Sequence, residues 1–76
     1  MMSATDAYEA KAKNILKSEL KRRGITYAQL AEKLAAFGAT ENERNLANKI
    51  SRGSFTAAFF MMCMDAIGAN NVNLEA

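Results

Sequence analysis

Arginine, asparagine and lysine gather on one short stretch of this chain in an order suited to hydrogen bonding with planar, polar partners. From Glu41, the positions Asn45, Asn48 and Arg52 follow at steps of 4, 3 and 4, with Arg44 and Lys49 flanking them. Such steps keep the residues on one side of a helix. Asn and Arg form paired hydrogen bonds with the edges of adenine and guanine, while Lys and Arg take phosphate oxygens. Asn42, Asn45 and Asn48 also sit where Glu, Lys or Gln would favour a helix more, which points to a purpose other than helicity. Glu41 and Glu43 oppose this reading, because carboxylates repel phosphate. Glu43 is accounted for by a capping role; Glu41 is not.

The elements that must carry these side chains are marked by glycine. Gly24, Gly38, Gly53 and Gly68 recur at intervals of 14, 15 and 15 residues, and each is followed within three positions by Thr26, Thr40, Thr56 or Asn70. A left-handed glycine closes a helix, and the next Thr or Asn supplies an oxygen to the unpaired amides of a new one. Thr26–Tyr27–Ala28–Gln29 and Thr40–Glu41–Asn42–Glu43 both fit the capping box. The punctuation predicts an all-α chain of four to five helices: about Asp6 to Arg23, from after the Thr26 cap to Phe37, from after Thr40 to Arg52, and about Ala57 to Ile67. Tails of residues 1–5 and 70–76 flank them.

Composition agrees. Pro is absent, half of the 76 residues are hydrophobic, and the length suits one domain spanning residues 1–76. Cys63 is the single cysteine and there is no histidine, so an intramolecular disulfide is excluded and the usual metal sites are not expected. No Cys–His pair, phosphate-binding glycine loop or convergent carboxylate pair appears, so neither an enzyme nor a cofactor is expected. The start, Met1 to Asp6, has no signal-peptide pattern, and no apolar run approaches the roughly 20 residues of a membrane span. A cytoplasmic protein is the expectation.

Helical spacing then assigns faces. Tyr8, Ala12, Ile15, Leu16 and Leu20 form the expected core side of the first helix. Leu30, Ala31 and Leu34 do so in the second, and Leu46, Ala47 and Ile50 in the third. Phe59, Phe60, Cys63 and Ile67, with Met64, suffice for the fourth. Ala58, Met61 and Met62 are left over on the fourth helix, either as the centre of a homodimer interface or enclosed by the first helix and the tail. Lys13, Lys17 and Lys21 form a row that reads as phosphate contact or, as charged rows usually do, as a solubilising face. The net charge of +2 is unevenly spread: +3 over residues 1–23, +1 over residues 24–53 and −2 after Gly53. A polyanion would meet the first two thirds of the chain.

The run from Arg23 to Leu34, with its Thr26, Leu30 and Ala31, followed by Lys49–Ile50–Ser51–Arg52–Gly53, resembles the lambda-repressor-like (Cro/repressor) helix-turn-helix domain. The resemblance covers about residues 12 to 69. It implies a sequence-specific double-stranded DNA-binding protein, a small transcriptional regulator working as a homodimer. Carried over by position, Thr26, Tyr27 and Gln29 would touch backbone phosphate, and Arg44, Asn45, Asn48 and Lys49 would lie on the exposed part of the recognition helix. Ala31 would lie at the crossing of the second and third helices, with Ala47 and Ile50 buried. The segment from Ala35 to Thr40 is longer than the turn of that family, which alters the angle at which the recognition helix is presented. The wording from Asn45 to Phe55 and from Ala57 to Phe60 also resembles a family of short bacterial proteins of unassigned function. A protein-interaction module on the same scaffold is the alternative, since fold does not fix function.

Overall fold

Side-chain caps open all the helices. In the computed structural model, which describes residues 3–75, Ser3, Thr26, Asn42 and Thr56 each accept a hydrogen bond from the backbone amide three residues on. They introduce α1 (Ala4–Arg23), α2 (Tyr27–Ala35), α3 (Glu43–Arg52) and α4 (Ala57–Ala66), and no strand occurs among the described residues. The chain is all-α, as the glycine and threonine punctuation predicts.

Several boundaries differ from expectation for local reasons. The Ser3 hydroxyl and the Asp6 carboxylate make a reciprocal capping box, so α1 begins at Ala4 and takes in part of the expected N-terminal tail. Met1, Met2 and Ala76, assigned to the tails, lie outside the described residues. Thr40 does not cap α3. Asn42 does, its Oδ1 accepting from the Asn45 amide at 2.8 Å, and residues 36–42 therefore connect α2 to α3. One of the three asparagines disfavoured inside a helix is thus its starting point. At the end of α2 the chain tightens through Phe37 N–H to Leu34 O and Gly38 N–H to Ala35 O, which stops the helix at Ala35 rather than Phe37. Asn70 starts no fifth helix among the described residues.

The core is built from every helix: Leu16 and Leu20, Leu30 and Leu34, Leu46 and Ile50, Cys63 and Met64, closed by Ile67 and Ala69 beyond α4. Ala31 is half-buried against it, and Phe59, Phe60 and Met62 pack at its edge. Tyr8, expected inside, is 69% exposed. At about 1.5 Å per residue, the 20 residues of α1 span some 30 Å, twice the length of α3 or α4, so its first turns overhang the core.

α3 is held on two sides, against α1 and α2. Its end meets the first half of α1 where Gly53 abuts the Glu9 carbonyl. Its start, Glu43, shares a hollow with Lys17 and Lys21 of α1 and Thr26 and Tyr27 at the head of α2. α3 therefore runs back along α1 in the opposite direction, presenting its remaining face to solvent. No helix among the described residues is long and apolar enough to cross a membrane.

Candidate nucleic-acid interface

Leu46 and Ile50 are completely buried and Ala47 half-buried, which fixes how α3 is rotated about its axis. Arg44, Asn45, Asn48 and Arg52 are consequently all exposed along its other side. Among the described residues, neither Arg44 nor Arg52 belongs to an ion pair, so both guanidinium groups are available to an incoming acceptor.

Lys49 differs from its neighbours. Its ammonium donates to Glu41 Oε2 and lies 5.0 Å from the centre of the Phe59 ring on α4. Glu41, the carboxylate that had no evident role, is the counter-ion of this lysine. Lys49 and Arg52 also border a small hollow of about 210 Å³ with Ser54, Phe55, Thr56 and Phe59.

At the head of α2 the two polar side chains are engaged with the backbone. Thr26 Oγ1 accepts from the Gln29 amide at 3.1 Å and Gln29 Oε1 accepts from the Thr26 amide at 2.9 Å. Gln29 keeps its amide nitrogen as an outward donor. Tyr27 is half-buried against the core and lines, with Thr26, Lys17, Lys21 and Glu43, a hollow of about 420 Å³. Thr26 and Tyr27 thus come together with the start of α3, whereas Lys49 and Arg52 lie toward its end, next to α4.

A family model described as "Domain of unknown function (DUF6471)" matches residues 8–72, from within α1 to beyond α4. The chain belongs to the DUF6471 family. The match agrees with a family of short proteins of unassigned function and does not by itself show a helix-turn-helix family. No curated protein and no solved structure matches this DUF6471 chain.

Spacing alone did not bring Lys17 and Lys21 to the DUF6471 candidate surface, although their helical row was legible; their neighbours Thr26 and Tyr27 are set by how α1 meets α2. Arg22 and Arg23 face elsewhere. Both pair with Glu19, Arg22 at 2.6 Å and Arg23 at 3.2 Å, and Arg23 also donates to the Ile67 carbonyl beyond α4. The hydrogen bond from Arg22, joined by that from Arg23, holds the Glu19 carboxyl below its usual pKa.

On α4, Ala58 and Met61 are exposed, Met61 to 65%, but Met62 is half-buried and packs against the core rather than outward. A separate apolar groove lies between α1, the start of α4 and the tail, lined by Tyr8, Ala12, Ile15, Phe60, Val72 and Leu74 among others. Cys63 is fully buried, and burial pushes its thiol pKa up to about 12, as expected of a packed thiol rather than a nucleophile. Among the described residues no cluster of His, Cys, Asp or Glu is arranged to hold a metal ion.

Proposed function

We propose that this DUF6471 protein binds double-stranded DNA through α3 and acts as a small transcriptional regulator. The observation that carries the reading is the outward face of α3, where Arg44, Asn45, Asn48 and Arg52 stand exposed opposite the fully buried Leu46 and Ile50. These are the side-chain types that pair with base edges and phosphates. Lys17 and Lys21 share a hollow with Glu43 and the head of α2 at the start of α3, and Gln29 and the α2 N-terminus add amide donors. The order of motifs resembling the Cro/repressor helix-turn-helix supports the same conclusion. The connection of residues 36–42 is longer than the turn of that family.

The test is a gel-shift with fragments of the gene's own upstream region at two salt concentrations. Phosphate contacts release counterions, so affinity falls steeply with salt if the reading is correct. Binding indifferent to salt, or none, would sink it. Two recognition helices on one DNA require a homodimer, for which Ala58 and Met61 are the proposed centre. Sedimentation at micromolar concentration reads this directly, and Met61→Glu should shift a dimer to a folded monomer.

The second reading, a protein-interaction module, has its own observation in the apolar groove bordered by Tyr8, Val72 and Leu74, all substantially exposed. Patches of this kind mark partner surfaces. Salt separates the two readings, since an apolar interface responds little to ionic strength.

A further inference from the structure

Resting on the DNA-binding reading above, we infer that Glu41 is a positioning residue that withholds Lys49 from phosphate and so limits the affinity of the α3 face. The Lys49 ammonium donates to Glu41 Oε2 on one side and covers the Phe59 ring at 5.0 Å on another. Three elements thus converge on one charge: the connection before α3, α3 itself, and α4. The lysine stem leans toward the start of its helix, the direction helical side chains favour, and reaches a residue eight positions earlier.

Burial makes this pair unlike an ordinary surface ion pair. Exposed pairs yield readily because both partners regain full hydration on parting. Here the Glu41 side chain is only 11% exposed, against 47% for Lys49. A phosphate that drew Lys49 away would leave a largely covered carboxylate without its counter-charge, which opposes the exchange. The aromatic ring adds a second attraction that the lysine would also forfeit. Arg44 and Arg52 have no such ties among the described residues. The cations that α3 offers to phosphate are therefore these two arginines, and Glu41 holds the third in reserve.

The experiment compares the parent, Lys49→Ala, Glu41→Gln and the double variant on a mixed-sequence DNA duplex, across about 50 to 200 mM salt. Circular dichroism first establishes that all four proteins are folded. Lys49→Ala should leave the salt slope near that of the parent, with only the modest loss of affinity that the unpaired Glu41 carboxylate causes by repulsion. Glu41→Gln should steepen the slope by about one phosphate contact, roughly 0.9, and tighten binding about five- to tenfold near 100 mM salt. Adding Lys49→Ala to Glu41→Gln should abolish that gain. A slope insensitive to Glu41→Gln, or a fall in slope on Lys49→Ala with Glu41 in place, would overturn the role of Glu41. A gain that survives in the double variant would overturn it too, because simple removal of a repelling charge would then suffice. These outcomes leave DNA binding intact. Absence of salt-dependent binding by all four proteins would instead bring down the DNA-binding reading and this one with it.

Discussion

The carbonyl oxygen of Glu9 occupies the space a side chain on Gly53 would need: a Cβ there would come within 2.3 Å of it. Gly53 also has φ +71°, in the left-handed region. Gly24 shares that conformation, at φ +67°, but has nothing within 4 Å of a Cβ. Gly24→Ala should cost only the left-handed penalty, about 1–2 kcal/mol. Gly53→Ala should cost clearly more, because α1 must also move off the end of α3. Urea unfolding of the two variants measures the difference, and equal losses would mean that the close approach contributes nothing.

Truncation inside and at the overhang should separate equally well. Leu46→Ala opens a cavity at a fully buried position and is expected to lower stability by about 2–5 kcal/mol. Tyr8→Ala, at an exposed position, should stay within about 0.5 kcal/mol. A large loss at Tyr8 would show that its groove is occupied by something that contributes to the fold.

Alkaline pH should act on the core through one thiol. Burial raises the Cys63 pKa from 9.0 to about 12, so its neutral form is favoured by folding. That contribution is complete below pH 9.0 and is lost progressively as pH climbs toward 12. Cys63→Ala, which cannot ionise, should unfold with a shallower loss of stability over the same range. Parallel pH profiles for parent and variant would refute the assignment.

On the α3 face, Arg44→Ala and Arg52→Ala should weaken binding to all DNA sequences and each reduce the salt slope by about 1. Asn45→Ala and Asn48→Ala should instead flatten discrimination between sites, by about 1–3 kcal/mol for each bidentate pairing removed. Competition gel-shifts with specific and unrelated duplexes distinguish the two patterns. Asn variants that discriminate like the parent would remove these residues from the reading surface.

Most of the helical order was legible because it depends on local chemistry. Thr26 and Gln29 cap each other whatever surrounds them, and the periodicity of Leu46 and Ile50 turns Arg44, Asn48 and Arg52 outward. Thr40 misled because two capping residues stood close together. The choice of Asn42 leaves Glu41 outside the helix, where it pairs with Lys49, and a contact eight residues away has no signature in the spacing of caps. Tyr8 shares its helical side with Ile15, but only the lengths of the other helices determine where the core stops. Met62 turned inward for a similar reason: an all-apolar helix gives no contrast by which to rotate it. Why Lys17 and Lys21 border the head of α2 was equally hidden, since it follows from the packing of α1.

One contact near each end of α1 fastens it, and the two close loops of equal length. Arg23 reaches the carbonyl of Ile67, 44 residues later, and Glu9 meets Gly53 at the same separation. Closing either loop alone carries a chain-entropy cost that grows only with the logarithm of its length. Because α1 is a rigid rod, docking one end leaves the other to search only a small arc, so the second closure adds little to the first. The two contacts should therefore form in a single kinetic step, α1 settling along α3 while Arg23 reaches the segment beyond α4.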